Sequence, residues 1–272
     1  MIFVMDVGNT NIKCGFFEQG ELRHSFRLAT DLEATSDEYG VKLLAFTDHL
    51  GIRPEEVEGI IVSSVIPSIN YTIEHMGRLY FHQKPHFVEP GIRTGINICY
   101  DNPKELGADR IVNAVAAYEL FGGPVIVIDF GTATTFGAIS ESGDFLGGAI
   151  CTGLRISAEA LTNNTAKLPR IELVQPGQII NRTTVSSMQA GIIYGYVGQV
   201  RYIVSKMREE IGPARVIATG GFSQLMAEQT DVIDEVVPTL TLQGLERIYQ
   251  KNIREWNRTR KEDRRREAPT LA

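Results

Sequence analysis

Phe3-Val4-Met5-Asp6-Val7-Gly8-Asn9-Thr10 returns 123 residues later as Ile126-Val127-Ile128-Asp129-Phe130-Gly131-Thr132-Ala133. In each copy an apolar, β-branched run ends on an aspartate and a glycine. Fourteen residues after each aspartate comes another glycine followed by an acid, Gly20-Glu21 and Gly143-Asp144. One Asp-x-Gly pair is common by chance, but a match that includes the strand before it and the turn after it marks an internal duplication. Each copy reads as strand, tight turn, strand, turn, strand. The expected fold class is therefore α/β, with two duplicated domains around a central cleft, where ligands sit in such pairs.

The rest of the chain falls into place around the repeat. Ser36 reads as the N-cap of a helix to His49, Gly59 to Val65 as a buried strand, Ser68 to His82 as a helix and Ile96 to Tyr100 as a weaker strand. A helix is expected over Ala108 to Phe121, stopped by Gly122-Gly123, and then the order of the first half begins again. Thr184 to Ile211 reads as a long helix, Arg215 to Ala218 as a strand, Phe222 to Gln229 as a helix and Leu240 to about Trp256 as the last helix. The expected domains are 1–115 and 116–256, followed by a basic, disordered tail at 257–272.

The turn of the first copy has the groups that hold phosphate: backbone N–H groups, amides, hydroxyls and a lysine. Gly8 lets the backbone approach closely, Asn9, Thr10 and Asn11 are neutral donors, and Lys13 is positive. Asp6, at the end of a buried strand, would be a costly buried charge; a hydrated Mg²⁺ shared with ATP phosphates would give it a partner. The alternative, an ordinary hairpin with a polar turn, is weakened by the second copy. No Gly-Lys pair of a P-loop and no Gly-x-Gly fingerprint occurs, while Ala218-Thr219-Gly220-Gly221 adds a later small-residue turn.

Charge narrows the function classes. The 272 residues carry 27 basic and 33 acidic side chains, net -6, and the last 22 residues alone hold eight basic and four acidic ones. The remaining body is strongly acidic, which argues against a general nucleic-acid binder. The tail reads as a solvated helix end or as an electrostatic clasp on an acidic body or partner. Cys14, Cys99 and Cys151 lie far apart and read as reduced and mostly buried. Pro85 interrupts any helix that would put His82 and His86 on one face, which disfavours a metal site there. No signal-like start and no membrane-length apolar run is present, so the expectation is a cytoplasmic protein with no membrane partner.

These residues resemble the superfamily of actin, hexokinase and the heat-shock ATPases, whose two phosphate hairpins and later glycine pair come in this order and whose domains are ribonuclease H-like. Within it the chain resembles the type III pantothenate kinases over residues 1 to about 250. The motifs are Asp6 to Lys13, Tyr100 with Asn102-Pro103, Leu106-Gly107-Ala108-Asp109-Arg110, Asp129 to Thr135, Gly147-Gly148 and Ala218 to Gly221. The resemblance implies ATP-dependent phosphorylation of pantothenate, the first step of coenzyme A synthesis, by a homodimer. It places ATP on Asp6, Val7, Gly8, Asn9, Thr10, Asn11, Ile12, Lys13 and Thr132. It places pantothenate on Tyr100, Gly107, Ala108, Asp109, Arg110 and Thr184, and a monovalent cation, potassium or ammonium, on Asp129.

From its sequence position alone Asp109 is equally a helix cap or a catalytic base; the resemblance favours the base. Arg110 suits an anionic substrate, and Thr184 would otherwise be a plain N-cap. The apolar face Ile192, Ile193, Tyr196, Val200 and Ile203 suits either a dimer interface or burial within one subunit. A related sugar or acyl-substrate kinase and a non-catalytic regulator are the alternative functions.

Overall fold

In the computed structural model, which describes residues 1–267 and side chains as far as Arg258, the first repeat folds as an antiparallel meander of β1 (Ile2–Val7), β2 (Asn11–Glu18) and β3 (Glu21–Ala29). Gln19 and Gly20 both have positive φ in the two-residue turn between β2 and β3, a geometry that matches the twist of paired strands. Helix α1 (Ser36–His49) starts on Thr35, whose hydroxyl accepts from the Glu38 N–H while Glu38 reaches back to the Thr35 N–H. The cap is thus one residue earlier than expected. β4 (Gly59–Ser64) then runs parallel to β1, and helix α2 (Asn70–Phe81) leads to the short β5 (His86–Phe87), giving the order β3-β2-β1-β4-β5.

The second sheet opens with β6 (Asn97–Ile98). Helix α3 (Ala108–Phe121) follows, then the second meander of β7 (Val125–Phe130), β8 (Ala133–Ile139) and β9 (Asp144–Thr152). Helix α4 (Leu154–Asn163), α5 (Thr184–Ile211), β10 (Arg215–Gly220), α6 (Ser223–Ala227) and β11 (Glu235–Val236) complete it before the last helix, α7 (Leu240–Glu267). Its order is β11-β10-β7-β8-β9-β6. Without β6, this is the first sheet over again: β7 stands for β1, β8 for β2, β9 for β3, β10 for β4 and β11 for β5. The duplication inferred from eight residues therefore extends to a whole five-stranded topology, and the α/β class and the duplicated architecture hold.

The chain forms two compact units, one of residues 1–95, 107–115 and 241 onward, the other of 96–106 and 116–240. They differ from the expected 1–115 and 116–256 in two places, both set by pairing between distant residues. Asn97 and Ile98 pair with Asp144 and Phe145 on the edge of the second sheet, and the Asn97 amide donates to the Asp144 carboxylate at 3.0 Å. The segment carrying Tyr100 therefore belongs to the second unit. Helix α7 packs on the first unit: a Gly244 Cβ would strike the Val112 carbonyl, Asn252 exchanges hydrogen bonds with the Arg93 backbone, and Trp256 stacks on His86 at 3.7 Å. Residues 257–267, expected to be disordered, continue this helix; 268–272 lie outside the described residues.

β1 is buried along its whole length, as expected of a strand covered on both faces. Phe3 stacks on Phe16 at 4.6 Å, and each of these fully buried aromatic side chains is worth roughly 2–3 kcal/mol of transfer free energy. In the second unit Ile193, Tyr196, Val200 and Ile192 lie in the core with Ile126, Ile128 and Phe130, and Ile203 packs against that cluster. The apolar face of α5 is thus consumed within its own subunit rather than offered to a partner. Of the cysteines, Cys14 is buried but Cys99 is exposed. Burial pushes the Cys14 thiol well above the ordinary range, with the nearby Asp6 charge adding to it. Among the described residues no helix is long and apolar enough to cross a membrane.

Candidate active site

In the first unit β1 delivers Asp6 to the mouth of the β1–β2 loop, and the register places Lys13 of β2 directly opposite. The side chain of Asp6 is 8% exposed, and its Oδ2 lies 3.2 Å from Lys13 Nζ. The buried carboxylate that the sequence left without an evident partner is therefore compensated by a residue expected to serve phosphate alone. The loop closes with a hydrogen bond from the Gly8 N–H to the Asn11 carbonyl at 3.1 Å, which leaves Asn9 and Thr10 at its exposed tip. Val7 and Ile12 are buried strand residues that carry the loop, not surface donors.

On the neighbouring strand β4, Ser63 stands in register with Asp6, fully buried, and its hydroxyl has no hydrogen-bond partner among the described residues. Gly107, Ala108, Asp109 and Arg110 lie in the same unit. Asp109 is in the first turn of α3, where a negative side chain meets the positive end of the helix. Its Oδ1 accepts the Arg110 N–H at 2.8 Å, and the carboxylate folds back over Gly107, 2.5 Å from where a Cβ there would stand. Asp109 thus lies inside the helix rather than at its cap, and this first-turn hydrogen bond orients the carboxylate. Arg110 is 9% exposed.

The second unit holds the other expected site residues. Asp129 ends β7 as Asp6 ends β1, but its in-register neighbours are Thr135 on β8 and Thr219 on β10. Thr219 is fully buried, and its hydroxyl, like that of Ser63, has no hydrogen-bond partner among the described residues. Asp129 Oδ1 leans over Gly220, 2.5 Å from a Cβ position that this glycine, at φ +93°, leaves open. A single residue, the exposed Thr132, forms the loop tip, closed by the Gly131 N–H on the Ala133 carbonyl at 3.1 Å.

Tyr100 is half-buried and tilted against Phe145. Thr184 is exposed in the first turn of α5; the N-cap is its neighbour Thr183, whose hydroxyl accepts the Ser186 N–H at 3.2 Å. Both threonines line an open groove of about 680 Å³ with Arg182, Ser187 and Met188. Arg182 and Ser187 lie beside them at the start of α5 but carry no motif, and Leu161 of α4 and Leu168 complete the groove only through the fold.

The donors fit the implied metals. Among the described residues no group of three or more His, Cys, Asp or Glu could hold an ion; the Asp6 carboxylate, at the mouth of the β1–β2 loop beside Lys13, is a single oxygen donor group of the kind that would meet a hydrated Mg²⁺ carried on ATP. Asp129, with a buried hydroxyl and a glycine cradle beside it, offers an all-oxygen set suited to a hard monovalent ion.

Solved structures share this fold. A conserved protein of Campylobacter jejuni, provisionally described as a Baf family transcriptional activator, superposes with a TM-score of 0.58 at 19% identity, covering 93% of this chain and 99% of its own. A Sinorhizobium meliloti protein provisionally described as a 2-dehydro-3-deoxygalactonokinase gives 0.59 at 9% identity, covering 92% and 96%. The activator of the 2-hydroxyisocaproyl-CoA dehydratase of Clostridium difficile, with bound ADPNP, gives 0.52 at 13%, covering 96% and 97%. At these identities the likeness is one of fold. The family model for type III pantothenate kinase matches residues 2–206, and the chain belongs to that family.

Proposed function

We propose that this member of a pantothenate-phosphorylating family uses Asp109 as the general base of the transfer. Phosphoryl transfer asks a protein to position the reactants, neutralise charge and accept one alcohol proton. Mg²⁺ bound to ATP supplies the bulk of the charge neutralisation on the phosphates. The β1–β2 loop receives phosphate through its tip donors, with Lys13 beside it, and Thr132 contacts the nucleotide. Gly107, Ala108, Arg110, Tyr100 and Thr184 bind pantothenate, with Arg110 pairing its carboxylate. Asp109 takes the proton of the primary hydroxyl as its oxygen attacks the γ-phosphorus and the bond to the β,γ-bridging oxygen breaks, releasing ADP. The observation that carries the reading is the Asp109 carboxylate itself, held in one orientation by the Arg110 N–H at 2.8 Å.

Asp129 holds the monovalent cation in this reading, supported by its oxygen-rich surroundings. Self-association as a homodimer is supported by apolar side chains exposed on the second unit, Ile150 at 64% and Ile180 at 81%, rather than by the α5 face. Purified protein with ATP, Mg²⁺ and K⁺ should consume ATP only when pantothenate is added and should form 4'-phosphopantothenate. Asp109→Asn should lose about 10²- to 10⁴-fold in kcat with nucleotide binding retained. Normal turnover in that variant would leave Asp109 as a first-turn helix residue alone.

A further inference from the structure

In both repeats, the residue that follows the third strand closes on the carbonyl groups of the loop between the first two. After β3, Thr30 donates its hydroxyl to the Gly8 carbonyl at 2.6 Å and its N–H to the Thr10 carbonyl at 3.1 Å. After β9, Gly153 stands where any Cβ would strike the Thr132 carbonyl and lie 2.7 Å from that of Gly131. Gly153 has φ -78° and ψ 159°, which every residue type adopts, so the close approach and not backbone freedom selects glycine there.

Each clamp is itself held by a helix tyrosine. Tyr39 of α1, fully buried, donates its hydroxyl to the Asp31 carbonyl at 2.8 Å and accepts the Asp31 N–H at 3.0 Å. Tyr196 of α5 donates to the Thr152 carbonyl and shares its hydroxyl with Ser157 at 2.8 Å.

We infer that Thr30 and Gly153 are positioning residues that aim the two phosphate loops, each tied to the core by its tyrosine. The inference rests on the reading that these loops receive the phosphates of ATP. A peptide unit is planar and trans, so its N–H points opposite to its C=O. Carbonyls of Gly8 and Thr10 drawn toward Thr30 turn the N–H groups of Asn9 and Asn11 away from it. Carbonyls of Gly131 and Thr132 packed on Gly153 do the same for the N–H groups of Thr132 and Ala133. Neighbouring N–H groups turned to one side, alternate in the first loop and successive in the second, make a concave anion site. Neither Thr30 nor Gly153 has to touch the ligand, and the two devices differ. One is a hydroxyl tie, the other a gap that must stay empty.

The test titrates the non-hydrolysable ATP analogue ADPNP with Mg²⁺ into the full-length protein and into Thr30→Val, Thr30→Ser and Gly153→Ala. Steady-state kinetics and melting temperatures are measured on the same samples. Thr30→Val should weaken ADPNP binding and raise the KM for ATP about fivefold or more, as expected for one lost hydrogen bond. The KM for pantothenate should stay within about twofold, and Thr30→Ser should restore nucleotide binding. Gly153→Ala should weaken ADPNP about tenfold with a smaller change in melting temperature. A purely structural role would move both KM values and the melting temperature together, and that result overturns the inference. So does wild-type ADPNP affinity in Thr30→Val or, should that variant not fold, in Gly153→Ala. Absence of pantothenate-dependent turnover in the unsubstituted protein would sink the proposed reaction and leave the nucleotide titration to judge the loops.

Discussion

The first hairpin carries a lysine across from its aspartate; the second carries a threonine. Asp6 and Asp129 end equivalent strands, and each has a fully buried hydroxyl residue in register on the parallel neighbour, Ser63 and Thr219. On the antiparallel side the registers diverge. The loop after Asp129 is one residue shorter, so Asp6 faces Lys13 at 3.2 Å while Asp129 faces Thr135. The shared spacing of 14 residues to Gly20 and Gly143 conceals this, because the second meander recovers the missing length in a longer turn after β8. A buried carboxylate needs a compensating charge. Asp6 meets that need within its own hairpin, whereas Asp129, only partly buried, has the hydroxyl residues Thr135 and Thr219 in register. The two hairpins have thus diverged in what stands opposite their aspartates, a lysine in the first and a threonine in the second.

The largest effect should come from removing the internal charge. Lys13→Met keeps the apolar stem and leaves Asp6 buried beside it. Breaking a fully buried pair costs roughly 3–5 kcal/mol. Lys13 is 23% exposed, so solvent screening lowers the expected loss to about 2 kcal/mol. Asp6→Asn added to Lys13→Met should recover more than half of it. The single tryptophan, Trp256, sits on α7 in the first unit and should report this unfolding in denaturant by its fluorescence. Wild-type stability in Lys13→Met would mean that Asp6 is not compensated by this lysine.

A second test rests on the proposal that Asp129 holds a monovalent cation. Thr135→Lys would place an ammonium group opposite Asp129, and turnover should then lose most of its dependence on K⁺, with half-saturation shifting about tenfold or more. Stabilisation by K⁺, which follows mass action on the folded state, should shrink in parallel in thermal melts. Unchanged K⁺ dependence in Thr135→Lys would break the comparison and count against a cation at Asp129.

The parts of the molecule that were legible in the sequence are those written in local pattern. Phe3 to Thr10 and its repeat carry the strand period, the turn and the acid in one stretch, and α5 could be read from end to end because 28 residues of helical spacing leave little ambiguity. The two-residue strands β5 and β11 are too short to show a period, and the ten-residue α4 carries no distinct start or stop signal between a strand and a long irregular segment. Local pattern alone groups Tyr100 with the first unit and α7 with the second, because Asp144 and His86, the residues that hold Asn97 and Trp256 in place, are distant in sequence. The candidate site divides in the same way. Asp6, Asp109 and Asp129 stand out by motif, whereas the Asp6–Lys13 pairing depends on a register, and Thr30 and Gly153 act through backbone carbonyls that no side-chain pattern records.

The smallest effect should lie at the far ends of the two meanders, and it concerns what each sheet edge accepts. In the first, Glu21 opens β3 and pairs with Arg23 at 2.9 Å in solvent. In the second, Asp144 opens β9 and accepts hydrogen bonds from Ser142 at 2.5 Å, Asn97 at 3.0 Å and Ser140 at 3.0 Å, which hold its carboxyl below the ordinary range, the Ser142 bond most strongly. The second edge thereby gains β6, and with it the segment that carries Tyr100. A carboxyl depressed in the folded state contributes stability above its unfolded value, 3.8, and loses it as the pH falls through the folded value. Hydrogen exchange at the Asn97 and Cys99 N–H groups, which donate to Gly143 and Phe145, should therefore lose protection by a few fold below about pH 4, beyond the intrinsic change in exchange rate. The first-sheet edge should show no matching loss at β3. Asp144→Asn, which cannot ionise, should flatten the response at β6. A response that persists in Asp144→Asn would place the titrating group elsewhere on that edge.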